Sequence, residues 1–278
     1  MPLGPPTTFT FAWSLPCSVP VEERSERDGV SAHLRFSLGL RALADGRIEV
    51  RWDDMDFVEF MGEPLTPERR KEMAPVLAVM TFVPNMFVTK HGAFVGIGEI
   101  DKMLERLDAL GVVKPEGIKT LRTPEARAAL STSVGNYWQT WVGAWAGLQL
   151  ARGEVREGEG FLAFGNHKLP AHTRIGYVGD DPGGLARLSS TTTMEGSEAL
   201  AALKGAIGAV SGSPLPADGS VTGMRYMSRM DVQTDPATLR PRRTHYEIRA
   251  EITDNGESKP QKESRDDEFS WERAKGCL

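Results

Sequence analysis

The longest run of regular hydrophobic spacing lies between Thr123 and Leu150. Ala126, Leu130, Val134, Trp138, Trp141, Trp145 and Leu148 recur at intervals of three and four, which sets them along one stripe of an α-helix. Thr123 is suited to the N-cap, Pro124 to the first helical position and Glu125 to the positive helix start. A stripe carrying three indoles needs a broad apolar partner, and the rest of the chain offers mostly strands. The pattern therefore predicts an inner helix set against a curved antiparallel sheet.

Elsewhere the period is two. Phe9, Phe11 and Trp13 share one face of a short extended segment over 7–13. Segment 19–27 continues extended to a turn at Asp28-Gly29. Over 30–42, Leu34, Phe36, Leu38 and Leu40 oppose His33, Arg35, Ser37 and Arg41, and Asp45-Gly46 marks a hairpin. Ile48, Val50 and Trp52 return, and Asp53-Asp54 breaks the alternation as a bulge would.

Thr66-Pro67-Glu68 opens a second helix that Pro75 ends or kinks. The apolar stretch 76–83 reads as buried helix or buried strand. A hairpin across Lys90-His91-Gly92 leads to a third helix bearing Ile100, Met103, Leu104 and Leu107 and ending at Gly111, then a loop through 114–117. Strands follow over 154–164, 168–178 and 184–194, then a short helix over 197–210. Strands around 222–231, 246–252 and Phe269 complete the chain, with Asn255-Gly256 as a hairpin turn. The expectation is α+β: one domain over 1–278, a strongly curved antiparallel sheet of roughly nine to eleven strands forming an incomplete barrel wrapped around helices. The one linker-like segment is 211–219.

Composition narrows the partners. A net charge of -5 argues against nucleic acid or an anionic membrane as the main partner. No apolar run approaches the roughly 20 residues of a transmembrane helix. The first residues show no cationic start and no apolar core of a secretion signal, which points to the cytoplasm, or to the envelope or periplasm if the chain is a trimmed mature form. Trp13-Ser-Leu-Pro-Cys17 is excluded as a lipoprotein cleavage site by Pro16. Cys17 and Cys277 admit a disulfide between the termini or two separate thiols, and the position of Cys277 in a tail prone to fray favours separate thiols.

Reactive groups are sparse. His33, His91, His167, His172 and His245 show no zinc spacing and no orienting partner. Asp53, Asp54 and Asp56 read as a solvated strand face, and Ser131-Thr132-Ser133 as helix surface without the glycines of a nucleophile elbow. Gly96-Ile-Gly98 lacks the third glycine of a dinucleotide fingerprint. No catalytic residue, metal ligand or cofactor is predicted.

The tryptophans carry the functional question. They are either core residues joining helix to sheet or the lining of an apolar pocket that the helix leaves unfilled. On the pocket reading the ligand meets Trp138, Trp141, Trp145, Met80, Met86, Met224 and Tyr226, methionine suiting an adaptable wall.

Two segments, Phe87-Val-Thr-Lys-His-Gly-Ala-Phe-Val-Gly96 before a short helix and Trp141-Val-Gly-Ala-Trp-Ala-Gly147 before strands with Leu169-Pro-Ala171, carry a resemblance. Their order resembles a group of β-rich bacterial envelope proteins and is similar in layout to the lipoprotein-carrier fold of the periplasm. That resemblance implies a half-barrel around helices with a hydrophobic cavity, and no catalytic residue. The leading expectation is a non-catalytic protein binding an apolar or amphipathic small molecule or lipid. The alternatives are an immunity or assembly factor that engages a protein partner through Asp53, Asp54 and Asp56 or Asp266, Asp267 and Glu268, and a cyclase or isomerase acting in an apolar cavity.

Overall fold

In the computed structural model most alternating segments are strands, and of the helix expected along 123–150 only Pro124–Trp138 is α-helical, with Gln139–Gly143 a π-helical turn, Trp145 and Leu148 beyond it and Gln149–Leu150 a strand; it describes residues 4–111, 113–164, 167–197, 199–202, 204, 221–254 and 256–277. The chain opens with β1 (Thr7–Thr8), β2 (Cys17–Arg27), β3 (Val30–Ala42), β4 (Arg47–Phe60) and β5 (Glu63–Pro64). Helices α1 (Pro67–Glu72) and α2 (Ala74–Met80) precede the hairpin of β6 (Met86–Thr89) and β7 (Phe94–Ile97). Three helices follow, α3 (Ile100–Leu110), α4 (Pro115–Leu121) and α5 (Pro124–Trp138), the last running into a π-helical turn over Gln139–Gly143. The second half holds β8 (Gln149–Leu150), β9 (Val155–Phe164), β10 (His167–Asp180), β11 (Ala186–Glu195), β12 (Val221–Thr234), β13 (Pro241–Asp254) and β14 (Glu257–Phe269).

Twelve strands form one antiparallel sheet in the order β7-β6-β4-β3-β2-β14-β13-β12-β11-β10-β9, with β5 beside β4. The sheet is curved, and it is open because its edge strands β7 and β9 do not pair with each other among the described residues. The chain starts in the middle of the sheet and meanders out to β7. It then crosses once to β9 and meanders back until β14 lies against β2. That single crossover carries α3, α4 and α5, which is why the tryptophan helix lies over the sheet's inner face. β1 and β8 pair in a small second sheet.

Local chemistry accounts for the boundaries. The Thr66 and Thr123 side chains accept from the N–H groups of Arg69 and Ala126, capping α1 and α5. Gly111 closes α3 with φ at +64°. The bulge expected at Asp53-Asp54 is present: pairing skips between Arg35 and Ser37, and Asp54 adopts a φ of +55°. Phe9, Phe11 and Trp13 all reach the core, but only Thr7–Thr8 of that segment pairs as strand.

Other expectations are corrected. The segment 114–117 is the start of α4, because Pro115 occupies the first helical turn where its missing N–H costs nothing. Stretch 76–83 is helical to Met80, and Val76 and Met80 are exposed rather than buried. The sheet gains a strand beyond the expected range through the two-residue β5. Cys17 and Cys277 are joined in a disulfide, with Cα atoms 4.6 Å apart. The tail is held rather than frayed, since Lys275 pairs with Ser18 and brings the chain ends together beside the β2–β14 seam. Of the helix expected over 197–210, residues 197, 199–202 and 204 are helical; the remainder, and the 211–219 segment, lie outside the described residues.

Candidate functional site

Two faces of α5 are in use. Val134 and Trp138 enter the main core, and Gly135 lies against the Phe94 ring of β7, where a Cβ would come within 2.9 Å. The other face presents Ala126, Ala129, Ser133 and Tyr137 at helical spacing to a groove of about 1620 Å³. The opposing wall is the inner face of four central strands. In register across β13, β14, β2 and β3 run Tyr246, Arg265, Ser25 and Ala32, and beside them Ile248, Glu263, Arg27 and Val30. Phe60, Met61 and Met80 add apolar surface at one side. Small side chains on α5 are what leave this space open.

The groove floor is polar. Alternation along β2 turns Cys17, Val19, Val21 and then Glu23 inward, and alternation along β14 does the same for Phe269, Asp267 and Arg265. Glu23 and Asp267 are direct partners across the seam. Asp267 is 2% exposed, and its Oδ2 accepts from Trp141 Nε1 at 2.7 Å and Thr244 Oγ1 at 2.8 Å. Arg265 Nε lies 3.3 Å from the same oxygen, an ion pair without hydrogen-bond alignment. The guanidinium stacks on the Tyr137 ring, 3.6 Å from its centroid.

Glu23 and Arg265 both line the groove although only 6% and 7% exposed. Glu23 Oε2 and Arg265 Nε and Nη2 have no hydrogen-bond partner among the described residues. Burial, reinforced by Asp267 across the seam and opposed by Arg265, pushes the Glu23 carboxyl up to about 8. Burial likewise raises the Tyr137 and Tyr246 hydroxyls, so both remain protonated donors. The arrangement therefore offers hydrogen-bond donors at the end of a largely apolar channel.

The residues expected from sequence to bind ligand are distributed differently. Met80 borders the groove. Trp138, Trp141 and Trp145 are fully buried behind it, their ring N–H groups donating to Gly92 O, Asp267 and Thr140 O. The π-helical turn explains how Thr140, Trp141 and Val142, three consecutive residues, are all buried. Met86 is buried in β6, and Met224 and Tyr226 pack on β12 in a separate cluster with Leu169, Ala171 and Met194. Glu23, Arg265 and Tyr137 were not singled out by sequence, although inward alternation from Val21 and Phe269 marks the first two. Asp267, expected in an exposed acidic patch, is buried; only Asp266 and Glu268 face outward.

Among the described residues no group of three His, Cys, Asp or Glu side chains is placed to hold a metal ion, and no helix is long and apolar enough to cross a membrane. His33 and His245 lie against Glu22 and Asp266 at 3.3 and 2.8 Å, away from the groove. No family model matches the chain, and no curated protein matches it in sequence. Among solved structures the chain is similar to one of lipovitellin, described as showing lipid–protein interactions, with a TM-score of 0.43 and 9% identity. The match covers 100% of this chain and 26% of that one, so the chain spans about a quarter of its length.

Proposed function

We propose that the protein binds an amphipathic small molecule in the groove between α5 and the inner face of the sheet. The observation that carries this reading is the groove itself: about 1620 Å³ of space held open by Ala126, Ala129 and Ser133, with apolar side walls and a polar floor. An open groove of that size, with mostly apolar walls and a few polar groups at its floor, has the size and lining of a small-molecule site. Trp138, Trp141 and Trp145 serve this reading indirectly, by fixing α5 at the distance that keeps the groove open. Met80 supplies adaptable wall at the rim.

The test is saturable binding of the neutral fluorescent probe N-phenyl-1-naphthylamine, followed by displacement with alkyl compounds of increasing length. Each added methylene contributes about 0.8 kcal/mol if fully buried, roughly fourfold in affinity. Ala129→Trp places an indole across the groove and abolishes binding while circular dichroism stays unchanged. Absence of saturable binding by the wild-type protein, or full binding by the tryptophan variant, overturns the reading.

A further inference from the structure

The walls and the floor of the groove ask different things of a ligand. Ala126, Ala129, Val30, Ile248 and Phe60 ask only for apolar contact. The floor presents two side chains more than nine-tenths buried, Glu23 and Arg265, with polar atoms that no described residue satisfies. A buried N–H without an acceptor is unfavourable, so Arg265 favours whatever places an oxygen against its guanidinium.

Resting on the amphiphile-binding reading above, we propose that the Glu23–Arg265 floor is a subsite for an uncharged amide head. Its carbonyl oxygen accepts from the Arg265 guanidinium, and its N–H donates to the Glu23 carboxyl, the two groups that line the floor. Charge selects against the other heads. Asp267 already balances Arg265, so a carboxylate head would add a net buried negative charge. Glu26, Asp28, Glu125 and Glu263 also line the groove, against the single further cation Arg27, and oppose an anion. An ammonium head would meet the Arg265 guanidinium and leave its N–H groups without an acceptor. An amide satisfies donor and acceptor at once and adds no charge.

Binding also depends on the state of Glu23. The titratable groups facing it are Asp267, Arg265 and Glu263 on β14 and Tyr137 on α5, with Tyr246 on β13 beyond Arg265, while Leu34 opposite it on β3 carries no charge. While Glu23 keeps its proton the floor is neutral overall. As it ionises, at about 8, the floor becomes anionic and water competes for the carboxylate.

The experiment is displacement of N-phenyl-1-naphthylamine by dodecanamide, dodecanoate and dodecylamine, which share one tail length. Dodecanamide is expected to bind at least about tenfold tighter than either charged compound, tenfold being one decade in Kd. Arg265→Met removes the donors and brings the three to similar affinity. Glu23→Gln keeps the amide preference and holds it to about pH 9, where the wild-type protein has lost affinity. Should Arg265→Met fail to fold, the wild-type ranking and the Glu23→Gln pH profile decide the matter.

The outcomes separate the two readings. If the naphthylamine itself does not bind, the groove reading fails. If it binds and all three alkyl compounds displace it equally, the groove stands and the head subsite falls. Tightest binding by dodecanoate or by dodecylamine overturns the proposal in favour of a charged head.

Discussion

Glu23 of β2 and Asp267 of β14 face each other directly across the seam where the two ends of the chain meet. Both point to the inner face, yet their fates differ. Asp267 Oδ2 has Trp141, Thr244 and Arg265 against it, whereas Asp267 Oδ1 and Glu23 Oε2 have no hydrogen-bond partner among the described residues. Two buried carboxylates so close cannot both ionise cheaply, and burial beside Asp267 holds the proton on Glu23.

This asymmetry sets a pH dependence of stability. The folded Glu23 carboxyl, at about 8, lies above its ordinary value of 4.5, so between these the folded state holds a proton that the unfolded chain has released. Stability is complete below pH 4.5 as far as this group is concerned and falls as pH rises through that window, by up to about 1.4 kcal/mol per pH unit. Urea denaturation of Glu23→Gln is expected to show this slope removed and greater stability than the wild-type protein at pH 8. An identical pH slope in the variant would exclude Glu23 as its source.

Trp141 is tied to the same feature. Its ring N–H donates to Asp267 Oδ2, and phenylalanine would fill most of the space without the donor. Trp141→Phe is expected to cost about 1–3 kcal/mol, the range for leaving a buried charged acceptor short of a bond. Trp145→Phe removes a bond to the backbone oxygen of Thr140 and is expected to cost less, because that acceptor is neutral. Equal losses in urea unfolding would show that ring volume, not the Asp267 contact, decides the effect.

The sequence exposed the layout far better than the site. Alternation over Val30–Ala42 and the Asp53-Asp54 break foretold β3, β4 and their bulge, because each strand has one buried and one wet face. The site was hidden for two reasons. Trp138, Trp141 and Trp145 are conspicuous but spend their surface on core packing, whereas the groove is made by residues conspicuous only for being small, Ala126, Ala129 and Ser133. Glu23 and Asp267 are 244 positions apart in the sequence and become partners only through the β2–β14 pairing, which no local pattern encodes. The disulfide was hidden by the same pairing.

Gly135 tests whether helix position is set by contact. Glycine in a helix interior ordinarily costs about 1 kcal/mol relative to alanine, so Gly135→Ala would stabilise an unconstrained α5. Here the new Cβ would lie 2.9–3.2 Å from three atoms of the Phe94 ring, and the helix or the ring must move. The expected result is a net loss of about 1 kcal/mol or more in urea unfolding, recovered when Phe94→Leu is added. A stabilised single variant would mean that the α5–β7 contact yields easily.

The Cys17–Cys277 bond closes the seam that everything else depends on. Glu263–Phe269 pairs with Val21–Arg27 through only seven residue pairs, and this junction joins the outward and the returning meander into one sheet. Strand pairing between such distant segments carries a large loop-closure cost, which the disulfide removes from folding by shortening the search of the unfolded chain. Cys17→Ser with Cys277→Ser is expected to lower stability by about 2–4 kcal/mol. Amide exchange should rise first in β2 and β14, with the β10–β11 hairpin unaffected. Thiol titration of the denatured protein should find two thiols only after reduction. Two thiols before reduction, or unchanged exchange in the double variant, would mean that the strand pairs alone hold the seam; protection lost evenly across the sheet would mean that the seam and the meanders open as one unit.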